Sequence, residues 1–199
     1  MRLSVRYENK FQSIELNEEE TQEMWGNLSL KVETFKKDSV LKIRNNWGNI
    51  RRAITDTVDL LNEFGFNSEN IISYVAVSPM VYYRYKGGKF DAESKSELRK
   101  YIVIAQVRQV FGAATNSALT SIREALKSSP TEFFRMTSLL NVRFTGERTL
   151  RYTSEEIDAI FDSYEIGAYT FMLLSLLYPN LKYSQKGFHQ DHMHPYTGF

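Results

Sequence analysis

Apolar residues recur along most of this chain at three- and four-residue steps, the spacing that lines one face of an α-helix. The longest series, Ile43, Trp47, Ile50, Ile54, Val58 and Leu61, predicts one apolar stripe on one helix, with Gly65 placed to terminate it. Upstream, Asn17 followed by Glu18, Glu19 and Glu20 reads as an N-cap with acids at the positive end of a helix dipole, opening a helix that reaches about Phe35. Asn67 or Ser68 is suited to cap a short helix through Val75. Ser78-Pro79 starts another, and Gly87-Gly88 marks its end.

The stretch from Ala92 to Phe111 is rich in helix formers, although Tyr101 to Val107 is β-branched enough to pass for a buried strand; its length and charged flanks favour a helix. Thr115 or Asn116 caps a helix carrying Leu119, Ile122 and Leu126, and Ser128-Ser129-Pro130 breaks it before a further packed helix over Phe133 to Leu140. Thr153-Ser154-Glu155-Glu156 has capping-box spacing, with Ile157, Ile160, Phe161 and Tyr164 following on one face. Tyr169 to Tyr178 reads as a core helix stopped by Pro179. Only Gly187 to Pro195 lacks helical spacing and suits an extended segment. The fold expected is mainly α, a multi-helix orthogonal bundle with a short extended segment or hairpin arm at the C-terminus. The division expected is a helical domain over residues 1–183 and a distinct element over 184–199.

Composition narrows this picture only a little. A chain of 199 residues, 42% of them hydrophobic, can bury a sizeable core. Its 25 basic and 24 acidic residues leave a net charge of +1, so contact with nucleic acid must come from local patches rather than from an overall field. Cysteine is absent, which removes disulfides, cysteine zinc sites and thiol nucleophiles and fits a cytoplasmic setting. The start, MRLSVRYENKFQ, has no apolar signal core, and the apolar run at Tyr169–Tyr178 is about half of the ~20 residues needed to cross a bilayer. Neither export nor membrane insertion is expected. No P-loop, nucleophile elbow or dinucleotide fingerprint is present, so kinase, serine-hydrolase and dehydrogenase readings lack support.

Chemistry concentrates at one place. All three histidines, His189, His192 and His194, fall within six positions and surround Asp191. Imidazole and carboxylate hold divalent metals and move protons near neutral pH. If the segment is extended, His189 and Asp191 share one face while His192 and His194 share the other. An ion on the Asp191 side then binds a phosphate oxygen while His192 takes a proton from the attacking water, a division of labour that describes metal-assisted phosphodiester hydrolysis. Two blander readings stand beside it: solvated tail residues, or adventitious metal binding.

The run Asp191-His192-Met193-His194-Pro195 is similar to the Asp-His-aliphatic-x-Pro opening of HNH, or ββα-metal, nucleases. By that resemblance His192 is the general base and Asp191 a metal ligand, with His189 a weaker one, for Mg2+ or Mn2+. Met193 replaces the usual isoleucine or leucine at similar volume. The second strand and helix of that motif are not in this sequence, so the motif is incomplete and the chain alone is expected to be inactive.

Four further blocks, Trp47–Phe66, Ser78–Tyr85, Val110–Leu126 and SLLYPNLKY running into FHQDHMHP, resemble the helical half of the GmrSD family of modification-dependent restriction enzymes, the part typified by GmrS. The resemblance implies a DNA endonuclease of phage defence, with DNA as partner, and a chain that is a fragment or a shortened reading frame. The family's ParB-like domain, with its acidic-Gly-Gln-Gln-Arg motif, has no counterpart here, so its nucleotide chemistry does not carry over, and such a domain or a partner subunit must be supplied separately. The alternative reading is a non-catalytic helical scaffold or interaction domain of a larger defence protein.

Two basic features carry weaker signals. Lys31 to Arg52 holds seven basic residues against Glu33 and Asp38 and could follow a phosphate backbone, though a solvated helix face explains it better. Tyr82 to Lys89 interleaves aromatics with basic groups and could stack on bases, though aromatics before a glycine pair commonly pack helix ends. Arg108 and Arg123 lie near apolar faces, where an arginine usually pairs with a carboxylate.

Overall fold

Local capping chemistry decides where most of the helices stop and start. In a computed structural model of the chain, the described residues are 2–7, 10–15, 37–68, 70–112, 115–128, 132–144, 146–162 and 168–180. They include seven α-helices: α1 Lys37–Asn45, α2 Trp47–Glu63, α3 Ser78–Tyr85, α4 Ala92–Val107, α5 Thr115–Lys127, α6 Ser154–Asp162 and α7 Ala168–Leu177. The mainly α class expected from the periodicity is the class observed. The chain separates into two units, Met1–Gly48 and Asn49–Phe199.

The first unit contains α1 and an antiparallel pair of strands, β1 Arg2–Tyr7 and β2 Lys10–Glu15, in register from Arg2 opposite Glu15 to Tyr7 opposite Lys10. The helix expected over Glu18 to Phe35 lies outside the described residues, as does the 183/184 domain boundary. Asn46 interrupts the long helix expected through Ile43 and Leu61: its side-chain amide donates to the Lys42 carbonyl at 2.9 Å and closes α1 before α2 begins.

The second unit is organised around α4. Asp91 caps it by accepting from the Ser94 backbone N–H at 2.8 Å, and Leu98, Tyr101, Ile102, Val103 and Ala105 are fully enclosed. The strand-like run Tyr101 to Val107 is therefore a helix whose β-branched side chains fill the core. Against α4 lie α7 and two 3-10 turns, Tyr74–Val77 and Met136–Ser138, while α3 packs on α5. Edge-to-face rings at Tyr83–Phe134, Tyr101–Phe134 and Phe66–Phe171 stitch these layers together.

Two helices expected from the sequence are reduced to those 3-10 turns, and both are tied to α4 in the same way. Ahead of Tyr74, the backbone N–H groups of Ile72 and Ser73 donate to Oε1 of buried Gln106 at 2.7 and 2.9 Å. Near Met136, the Phe134 N–H donates to Ser94 Oγ at 3.2 Å and the Met136 N–H to Glu97 Oε2 at 3.1 Å. At both places backbone donors are taken by α4 side chains, which fixes the local chain path.

The apolar stripe expected on α2 is only partly turned to the core, with Leu61 buried and Ile50 half-buried. Ala53, Thr57, Leu60 and Leu61 are its buried residues, followed by Phe64 just past its end, whereas Trp47, Ile54 and Val58 are exposed by 41–54%. Thr57 can be buried because its hydroxyl donates to the Ala53 carbonyl at 2.7 Å. Gly65 ends the helix as expected: at φ +84° it lets the Phe66 N–H reach the Leu61 carbonyl at 2.8 Å and its own N–H reach Asn62 at 3.0 Å. Gly87 and Gly88 end α3 in the same manner, on the carbonyls of Arg84 and Tyr83, each at 3.0 Å. The capping box at Thr153 and Glu156 forms reciprocally, with bonds of 2.9 and 3.2 Å.

Candidate functional site

The residues with the clearest chemical signal in the sequence, His189, Asp191 and His192, lie outside the described residues. Among the described residues no group of histidine, cysteine and carboxylate side chains could hold a metal ion.

What the second unit does build is a polar cleft between α2 and the end of α3. Asn49, Arg52, Ala53 and Asp56 stand at i, i+3, i+4 and i+7 and so share one face of α2. Opposite them are Arg84, Tyr85 and Gly87, and the space between measures about 230 Å3. Arg52, the last residue of one basic stretch, and Arg84, from the run Tyr82 to Lys89, thus meet at one place although each feature carried little signal alone.

Arg84 is held there from three sides. Its Nε donates to Asp56 Oδ2 at 2.7 Å, its Nη1 donates to the Gly88 carbonyl at 2.9 Å, and its guanidinium carbon lies 5.4 Å from the centre of the Phe90 ring. The backbone behind it is tightly determined. A Cβ on Gly88 would come within 2.4 Å of the Tyr83 ring. That ring cannot step aside, because Tyr83 is buried and its hydroxyl donates to the Lys89 carbonyl at 3.1 Å. Arg52 differs: it is exposed, and among the described residues it pairs with no carboxylate, Asp56 being turned toward Arg84.

A second charged cluster is structural. Arg108 Nη1 donates to Glu156 Oε1 at 2.5 Å and Nη2 to Glu156 Oε2 at 2.8 Å, Nη2 also donates to the Arg151 carbonyl, and the guanidinium stacks on Tyr152 at 4.2 Å. These bonds, with Arg108 first, hold the Glu156 carboxyl below its ordinary range. Burial pushes the Tyr152 phenol up to about 12, against the pull of Arg108. The cluster ties the end of α4 to the start of α6. Arg123 pairs with Glu124 at 3.1 Å and borders an apolar groove of about 200 Å3 with Pro79, Tyr82, Leu119 and Leu126. Both arginines behave as arginines beside apolar faces are expected to.

Asp56 is the residue that reading the sequence missed. Its signal was its place one turn after Arg52 on the polar side of α2, which says nothing of a partner 28 positions away. No family model, curated protein or solved structure matches this chain. No described helix is long and apolar enough to cross a membrane.

Proposed function

We propose that this chain is part of a DNA endonuclease of the GmrSD-like kind, in which the helical unit carries a C-terminal site for metal-dependent phosphodiester hydrolysis. The observation that carries this reading is the run Asp191-His192-Met193-His194-Pro195, where a carboxylate and an imidazole occupy adjacent positions. In an extended segment adjacent side chains point to opposite faces, so the two groups can serve different atoms of one reaction. Asp191, with His189 as the weaker partner, would hold Mg2+ or Mn2+, and such an ion would supply Lewis-acid polarisation of a phosphoryl oxygen. His192 accepts the proton of the attacking water.

The test is plasmid cleavage with manganese by a chain that also carries the second strand and helix of the ββα-metal element, beside the same chain with His192→Ala. Loss of a positioned general base costs roughly a hundred- to ten-thousandfold in rate, so cleavage by the parent and its loss in the variant is the expected result. Absence of cleavage by well-folded parent protein, on modified and unmodified DNA alike, ends this reading.

One observation favours the second reading, a helical scaffold that docks a partner. The side of α2 bearing Trp47, Ile54 and Val58 is apolar and exposed, an arrangement that marks contact surfaces more often than catalytic ones. A scaffold binds its partner through that face without metal and is indifferent to His192→Ala.

A further inference from the structure

We infer that the cleft between α2 and α3 is a phosphate-binding site that grips the backbone of DNA through Arg52 and Arg84. The inference draws on the endonuclease reading only in naming DNA as the source of the phosphate; the cleft itself is built wholly from described residues of the second unit.

Both arginines of the cleft keep hydrogen-bonding capacity in reserve. A guanidinium has five N–H donors. Arg84 commits one through Nε to Asp56 and one through Nη1 to the Gly88 carbonyl, which leaves the Nη2 edge for another acceptor. With Asp56, Gly88 and Phe90 fixing its plane, Arg84 offers that edge in a set direction, so little side-chain entropy remains to be lost on binding. Arg52, on the facing wall, commits none of its donors to a side chain among the described residues. Two guanidiniums therefore line the cleft against one carboxylate, and that carboxylate is already engaged.

The dimensions fit the ligand. At about 230 Å3 the open cleft has room for a phosphate group between its two arginines. Lys86 and Lys89 follow on the exposed turn after α3 and extend the positive surface beyond the cleft. Tyr85, 39% exposed, gives an aromatic surface next to Arg84 against which a sugar can lie. One term opposes: the cleft sits at the C-terminal, negative end of α3. There the carbonyls of Tyr82, Tyr83 and Arg84 accept from the N–H groups of Lys86, Gly88 and Gly87, which reduces that field. A grip on backbone phosphate carries no sequence information by itself.

Fluorescence anisotropy of a labelled duplex, titrated with the full chain in EDTA so that no metal chemistry intervenes, tests this. Arg52→Ala is the decisive variant, because the exposed side chain leaves no buried partner behind and the fold is retained. It is expected to weaken binding about tenfold and to lower the slope of log K against log salt by about one. Lys127→Ala, on α5 and paired with Glu124 at 2.9 Å, should leave both unchanged. Failure of the parent chain to bind duplex, or equal losses in the Arg52 and Lys127 variants, overturns the inference. So does full displacement of the duplex by inorganic phosphate at constant ionic strength, which would make free phosphate the ligand. Because the assay contains no metal, its failure is separate from a failure of cleavage: DNA held through Arg52 by a protein that never cuts would sink the endonuclease reading and leave the cleft standing.

Discussion

Helices α2 and α4 differ in how well their sequences announce what is buried. In α2 most of the regular apolar series, Trp47, Ile54 and Val58, points to solvent; its last member, Leu61, is buried together with Ala53, Thr57 and Leu60. In α4 the pattern is blurred by β-branched residues and charged flanks, yet its second half, from Tyr101 to Gln106, is the centre of the unit and enclosed on several sides at once. A clean stripe is the mark of a helix that touches the core along one line, and it leaves open which line. A helix surrounded by neighbours has no polar side to contrast with its apolar one, so its periodicity fades as its burial grows.

The sharpest way to break this comparison is to shorten a core residue of α4. Ile102→Ala should cost about 2–5 kcal/mol in urea unfolding, the usual range for emptying a packed site. A loss under about 1 kcal/mol would mean α4 is not central. Next in size is Gln106→Ala, which leaves the N–H groups of Ile72 and Ser73 without their acceptor; roughly 1–3 kcal/mol is expected, with faster amide exchange at those two positions.

Titration probes the far end of α4. Glu156 has a folded pKa below its unfolded value, because Arg108 and the Thr153 N–H bond its ionised form. Its stabilisation is thus present above the unfolded value, about 4.3, and is lost as the pH falls through the lower folded one. Glu156→Gln should flatten that acid limb of the melting temperature. Tyr152 has the opposite sign: with its pKa pushed up to about 12, its contribution is intact below the unfolded value near 10 and is lost as the pH rises through 12. Tyrosinate absorbance should therefore lag in the folded protein, and Tyr152→Phe should remove part of the lag.

The smallest effect belongs to the exposed stripe. Ile54→Ser and Val58→Ser should change stability by no more than about 0.5 kcal/mol, since each side chain is already more than two-fifths exposed. A loss of several kcal/mol from either would show that something covers this face and would strengthen the scaffold reading.

Much of the architecture was legible because its signals are local. Gly65, the Gly87-Gly88 pair, Ser78-Pro79 and the Thr153 capping box act within a few residues of themselves, and each does what its spacing implies. The alternation of Leu3, Val5 and Tyr7 in β1 is a local strand signal too, but β2 does not share it, since Phe11 and Ile14 fall on opposite faces. The expected helices at Ser68–Val75 and Phe133–Leu140 yielded to 3-10 turns where Gln106, Ser94 and Glu97 reach across from α4, which no local pattern can announce.

The candidate sites divide along the same line. The Asp191-His192 pair is a feature of consecutive residues, and its chemistry can be argued from adjacency alone. The cleft exists only because Asp56 on α2 and Arg84 on α3 come within 2.7 Å, and because Gly88 lets the turn settle against Tyr83. By itself the sequence determined the helical class, most helix ends and a short run of metal-type donors, since these rest on backbone conformation and near neighbours. Which side of α2 is buried, which backbone donors are taken by α4 side chains, and where two weak basic signals become one positive cleft were decided by tertiary structure, because each depends on groups that only packing brings together.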